Sequence, residues 1–229
     1  MKKWSLTYLR SCLNDNSIGA VLARGTASSL LVKIGGAAAA FVVQVLLARL
    51  LGATHFGEYV YALAWLNIMV LFAKTGFDTS LVRYIPQYSV QRQWPLLKGL
   101  IIKANQTVLL SSLLVCSICG FLIWFFKNSF SADQTTALWA AILCLPFLAL
   151  NGLRQSALRG YKSIFFAEFP DRVFRPIIVA VVLGILYISW ECRLSAGLAM
   201  LINGAAIVLA LVLGSYWLRK VTPRQASSV

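Results

Sequence analysis

Residues 28–51 read SSLLVKIGGAAAAFVVQVLLARLL. Only Lys33, Gln44 and Arg49 place a charge or an amide in this apolar run. It exceeds the ~20 residues needed to cross hydrocarbon as a helix. It also exceeds the roughly 7–15 residues of a signal-peptide core. Although Met1-Lys2-Lys3 opens the chain as a signal peptide would, the run is expected to be a retained transmembrane helix.

The pattern repeats along the chain. Apolar segments are expected as helices at Ser28–Leu51, Gly57–Thr75, Ile101–Phe126, Thr136–Leu158, Phe174–Trp190 and Leu194–Leu218. The 229 residues are 59% hydrophobic and only 12% charged, with mean hydropathy +0.77. A soluble domain carries roughly 25% charged residues, so this surface is built for lipid rather than water. The expected fold class is all-α: a polytopic membrane protein with six transmembrane helices. Residues 1–27 read as an N-terminal arm, 28–218 as the transmembrane lobe and 219–229 as a basic tail.

The net charge of +14 is distributed by topology. Arg49, Lys127 and Arg193 fall on one side of the six-helix arrangement, and Lys33 lies inside the first segment. The remaining Lys and Arg occupy the N-terminal arm, the connections after the second and fourth segments, the segment ends that flank those connections (Lys74, Lys103, Arg154 and Arg175), and the tail. The positive-inside rule then puts both termini in the cytoplasm of a bacterial inner membrane. This alternation argues against a nucleic-acid partner, which calls for cations clustered on one soluble face. The segment Gly76–Leu100 is expected as a cytoplasmic loop lying partly in the membrane interface. Connections on the other side are expected to be short turns, the first being Gly52–Phe56.

Several polar groups stand within the apolar segments, where they are costly unless they meet a partner or a cavity. Lys33, Gly36, Ala40 and Gln44 share one helix face at 100° per residue. That face reads either as a cationic cavity wall, or as packing surface with Lys33 snorkelling to the headgroups. Asn67 and Lys74 are seven residues apart, as are Lys98, Asn105, Ser112 and Cys119, so each set lines one face. These can line a cavity or hydrogen-bond between helices. Asn151, Arg154, Gln155 and Arg159 form a further face, with Arg175 opening the next segment. This cationic group suits phosphate oxygens or serves as positive-inside anchoring.

No catalytic constellation emerges. His55 is the single histidine and is expected to be solvated in its turn. The carboxylates Asp15, Glu58, Asp78, Asp133, Glu168, Asp171 and Glu191 read as scattered, none central in a span. Cys12, Cys116, Cys119, Cys144 and Cys192 read as small packing residues, Cys116-x-x-Cys119 included, and no metal cluster or cofactor motif is expected. A membrane-embedded enzyme would need a large external loop with an acid/base set. Non-enzymatic function is therefore the expectation.

The stretch QVLLARLLGATHFGEY from Gln44 to Tyr59 resembles the first external turn of polysaccharide flippases, within the multidrug/oligosaccharidyl-lipid/polysaccharide exporter superfamily. Ala48, Arg49, Leu51, Gly52, Phe56, Gly57 and Tyr59 carry the likeness. Gly76-Phe77-Asp78 with Leu81-Val82-Arg83-Tyr84, then Leu158–Lys162 and Arg172–Pro176, resemble later connections of the same family. The similarity extends from about Arg24 to the end. Gly52 is expected to end a helix in the left-handed conformation, and Gly57 to start the next close against it.

The resemblance implies transport of a lipid-linked oligosaccharide on an undecaprenyl diphosphate, without covalent chemistry or a cofactor. Family members usually have twelve to fourteen helices in two lobes. This chain corresponds to the N-terminal lobe, as a fragment, a truncated product or one of a pair. A second lobe or a homodimer partner is implied, alongside membrane lipid. Lys33, Gln44, Asn67 and Asn105 are the candidate cavity residues; Arg154, Arg159 and Arg175 are the candidate cytoplasmic phosphate contacts. A multidrug exporter of the same superfamily and a non-transporting assembly partner are the alternatives.

Overall fold

The computed structural model describes residues 18–127, 130–161, 163–189 and 195–221. These are helical throughout, without a strand. In chain order they form α1 (Ile18–Lys74), α2 (Phe77–Val90), α3 (Trp94–Phe125), α4 (Ala132–Gly160) and α5 (Ile164–Phe169). A π-turn (Pro170–Phe174), α6 (Arg175–Ser189) and α7 (Ala196–Val221) follow. Among the described residues, four stretches are long and apolar enough to cross a membrane: Val32–Lys74, Trp94–Phe125, Ala132–Gly160 and Ala196–Leu218. The architecture is that of a multi-pass membrane protein.

The first stretch is two arms meeting at Gly52, whose φ of 73° and ψ of 171° are non-helical. A side chain is strained there, so glycine supplies the bend. Leu47 before the bend and Tyr59 and Leu63 after it line one cavity, so the arms fold back on each other. The expected turn Gly52–Phe56 thus contracts to essentially one residue. Gly57 does not mark a close approach, because a Cβ there would meet nothing within 4 Å.

Two connections expected as loops are helical. Most of Gly76–Leu100 is taken up by α2 and the start of α3. Leu81 and Ile85, one turn apart, are buried in α2 and supply the apolar stripe that holds it. Gly76 at φ 76° and Arg92 at φ 56° turn the chain at either end. The fourth-to-fifth connection likewise contains α5 and the π-turn. Phe166 and Phe169 of α5 pack on Trp217 of α7, with ring centroids 5.0 and 5.8 Å apart. Of the expected fifth segment, Phe174 lies in the π-turn and α6 is described for 15 residues. The helix containing the first segment already begins at Ile18. Trp190, Cys12, Cys192, Asp15, Glu191, Lys162, Arg193 and Arg224 lie outside the described residues.

α4 is the hub, packed against α1, α2, α3 and α7. Small residues allow these approaches. A Cβ on Gly204 of α7 would collide with Cys144 Sγ of α4, and one on Gly160 would stand 2.9 Å from Ile85 Cβ. Cys116 Sγ donates to the Ile142 carbonyl at 3.4 Å, as a packing thiol does. The exterior is the apolar side: Phe41, Leu71, Phe72, Leu110, Phe121 and Trp124 are exposed. Backbone groups paired within helices and apolar side chains facing outward are what a hydrocarbon solvent requires.

Candidate functional site

Pro170 begins the key local structure. It lacks an amide proton, and the helical ladder slips there, with the Arg175 N–H donating to the Pro170 carbonyl. Such π insertions in a helix recur at functional sites. Here the insertion brings four charged side chains, Glu168, Asp171, Arg172 and Arg175, against α1, α4 and α7.

Two linked groups result. Asp171 Oδ1 accepts from Asn151 Nδ2 at 3.3 Å and from Arg175 Nη1 at 3.2 Å. Arg175 Nε donates to Asn203 Oδ1 of α7 at 3.1 Å, which fixes the orientation of that amide. Glu168, only 5% exposed, accepts from Arg159 Nη2 at 3.0 Å and from Arg172 Nε. Both carboxylates therefore sit against guanidinium groups, which compensates their desolvation.

A cavity of ≈ 190 Å³ opens beside the first group. Its polar lining comes from Gln44 and Tyr59 of the two arms of α1, Asp171, Arg175 and Asn203. Asn203 is 4% exposed, and its Nδ2 has no hydrogen-bond partner among the described residues. A buried amide donor without an acceptor costs about 1–3 kcal/mol, so this nitrogen is a ready contact for an incoming oxygen. The volume is below the ~300–1,000 Å³ of a drug-sized ligand site. The recess suits one polar group of a larger ligand, such as a phosphate or a hydroxyl cluster.

Of the candidate residues, Gln44 and Arg175 meet in this cavity. Ala40, on the Lys33 face, also lines it. Gly36 on that face is instead packing surface, because a Cβ there would stand 2.8 Å from Arg172 Cβ. Lys33 itself is exposed and outside the lining. Asn67 is exposed on the second arm of α1, and Asn105 is half-buried on α3; neither reaches this recess. Arg154 faces α7, its Cβ lying 3.7 Å from where a Cβ on Gly214 would be. Arg159 is taken up by Glu168.

The carboxylates depart furthest from expectation. Glu168 and Asp171 are the counter-charges that organise the cationic group, rather than scattered acids. Their signal was in the sequence: Glu168–Arg172 and Asp171–Arg175 are both i,i+4 acid–base pairs, the spacing that joins side chains on a helix. Glu168 and Asp171 fall in the connection expected between the fourth and fifth segments, where helical spacing is not expected. Asn203, from a different helix, had no local signal. His55 also departs, because it is not merely solvated. Its Nδ1 lies 3.3 Å from Glu58 Oε2 and 3.4 Å from Asp133 Oδ2.

Comparison with the curated proteins and with the solved structures gives no match. The family model described as polysaccharide biosynthesis protein matches residues 22–228, which takes in both arms of α1, the π-turn and the whole cavity lining. The chain belongs to the polysaccharide biosynthesis protein family.

Proposed function

We propose that this chain is the N-terminal lobe of a flippase that carries a lipid-linked oligosaccharide from the cytoplasmic to the periplasmic leaflet of a bacterial inner membrane. The two arms of α1 together with α3, α4, α6 and α7 make six crossings. The Lys and Arg distribution then puts both termini in the cytoplasm. The single observation that carries the reading is the charged and amide-lined recess at Gln44, Tyr59, Asp171, Arg175 and Asn203, set in a bundle whose exterior is apolar.

The recess suits the polar head of an undecaprenyl-diphosphate glycan. Arg175 is held by Asp171 and Asn203. A guanidinium has five N–H donors, so it can fork onto phosphate oxygens while keeping one of these partners. Asn203 Nδ2 offers one more donor, and Gln44 and Tyr59 supply hydroxyl-compatible partners for sugar. The lipid tail stays against the apolar exterior. Lys33, Asn67 and Asn105 lie outside the recess on α1 and α3 and are assigned to the glycan beyond it, and Arg154 and the partly exposed Arg159 are assigned to the diphosphate at the cytoplasmic end. Movement against a second lobe or a second copy exposes the recess to each leaflet in turn. No bond in the substrate is made or broken.

The test is complementation of a flippase-deficient strain, with this chain alone and with a matched second lobe. Surface glycan is expected when both lobes are supplied, and Arg175→Ala should abolish it at unchanged membrane insertion. Lys33→Glu should do the same. Unchanged export in Arg175→Ala would overturn the recess as the substrate contact. Absence of export in every combination, despite verified insertion, would favour a non-transporting assembly partner.

A further inference from the structure

The turn at Gly52 brings a second set of side chains together, at the opposite end of α4 from Arg159 and Glu168. His55 and Glu58 lie one helical turn apart on the second arm of α1. Asp133 lies in the first turn of α4. His55 Nδ1 is 3.3 Å from Glu58 Oε2 and 3.4 Å from Asp133 Oδ2. The three ligand atoms all lie within 4.8 Å of one another. Ligands in a tetrahedron with metal bonds of ~2.0–2.1 Å are about 3.3–3.4 Å apart, so two edges of such a site are already formed.

The surroundings favour a cation. No Lys or Arg ion pair with Glu58 or Asp133 occurs among the described residues; the imidazole is their charged-group contact. Glu58 is 9% exposed, so its charge is largely withdrawn from water. Its orientation is fixed from behind. Ser131 Oγ donates to Glu58 Oε1 at 2.8 Å, leaving Oε2 toward His55. Ser131 is itself held as the N-cap of α4 by a reciprocal bond pair with Gln134. An outer hydrogen bond that aims a carboxylate oxygen is a regular part of metal sites. His55 and Asp133 are 37% and 45% exposed, which leaves an entry path and room for water as a fourth ligand.

We propose that His55, Glu58 and Asp133 bind a divalent transition-metal ion of the zinc class, fastening the bend of α1 to the start of α4. One imidazole and two carboxylates form a mixed N/O donor set. Mg²⁺ and Ca²⁺ prefer oxygen ligands alone, whereas imidazole suits zinc and its neighbours. The ion offsets the two carboxylate charges, and the imidazole ligates as a neutral donor. Neither the substrate nor the recess at Arg175 takes part, so the site stands whether or not the transport reading does.

The test is titration of the purified full chain in lipid nanodiscs with Co²⁺, followed by competition with Zn²⁺, Mg²⁺ and Ca²⁺. The expected result is a visible absorption band of a tetrahedral Co²⁺ site that saturates at one ion per chain and is displaced by Zn²⁺ alone. His55→Gln and Asp133→Asn alter partly exposed positions and leave the buried Glu58 in place. Each should weaken binding at least about 10–100-fold. Ser131→Ala should weaken it by about tenfold while every ligand remains. A thiolate-to-cobalt charge-transfer band, or affinity unchanged in both ligand variants, would place the ion elsewhere and overturn the proposal. So would thermal stability that follows pH but not Zn²⁺, since the cluster would then be a proton site.

Discussion

Each end of α4 brings buried carboxylate chemistry against a neighbouring helix, and the two ends handle it differently. Toward its C-terminus, Glu168 and Asp171 are met by Arg159, Arg172 and Arg175. At its N-terminus, Glu58 and Asp133 are met by a histidine and a hydroxyl. The first arrangement balances charge within the protein. The acids hold guanidinium groups in place and keep them presentable to an anion. The second has no Lys or Arg ion pair among the described residues, and the proposed metal ion would supply its counter-charge. A carboxylate in a membrane protein therefore has no single meaning; the element packed against it decides whether it meets guanidinium groups or an imidazole and a hydroxyl.

The largest expected effect tests the first arrangement. Asp171→Asn keeps the shape but removes the counter-charge from Arg175, which is 17% exposed. Stranding one member of a buried pair costs about 3–5 kcal/mol, and partial exposure puts the expected loss near the lower figure, about 3 kcal/mol. Thermal unfolding in detergent measures it. The double variant Asp171→Asn with Arg175→Gln should recover much of that loss, because no unpaired charge remains. Additive losses in the two single variants would show that the residues do not act as a pair.

A smaller effect is expected where α4 meets α7 between the two polar ends. Gly204 lies against Cys144 Sγ with no room for a Cβ. Gly204→Val should destabilise the bundle by about 1–3 kcal/mol through overpacking. Adding Cys144→Ala should relieve part of it, since the thiol is the atom in the way. Equal stability of the single and double variants would mean that α7 shifts bodily, and the alignment of Asn203 with Arg175 would then change as well.

The unequal legibility of the two ends has a physical cause. The helical, membrane-facing character of the chain followed from residue type and run length, because a bilayer imposes the same demand on every span. Gly52 was legible as a helix end, since a positive φ is a local property of glycine, although its ψ of 171° is extended rather than the left-handed helical conformation expected. Gln44 and Arg175 stood out because an amide and a guanidinium are costly in hydrocarbon wherever they point. The partners were harder to read. Asp171 and Glu168 were hidden because they fall in the connection expected before Phe174, whereas the chain is helical there, through α5 and the π-turn. Asn203 and Asp133 were beyond local reading altogether. Each comes from a helix far along the chain from its partner, and spacing rules apply within one helix. Lys33 shows the converse. Its face reads as small and polar, yet the cavity begins only at Ala40 and Gln44, because Gly36 packs against Arg172.

The smallest predicted effect is also the most direct comparison, because it repeats the first substitution at the other end. Asp133→Asn removes a carboxylate charge beside Glu58, as Asp171→Asn removes one beside Arg175. Asp133 is 45% exposed, and its neighbouring charges are a second carboxylate and an imidazole. Relief of repulsion from Glu58 favours the variant. Loss of a negative charge from the first turn of α4 opposes it by a few tenths of a kcal/mol. The two nearly cancel, so the metal-free protein should change by no more than about 0.5 kcal/mol. Measured with excess Zn²⁺, the same variant should fall below the unsubstituted chain, because the latter binds the ion more tightly and gains more stability from it. A matched pair of acid-to-amide changes thus separates the two ends. One is costly under all conditions, and the other is costly only when a metal ion is supplied. A large loss for Asp133→Asn without metal would mean that His55 is already the cation of that cluster.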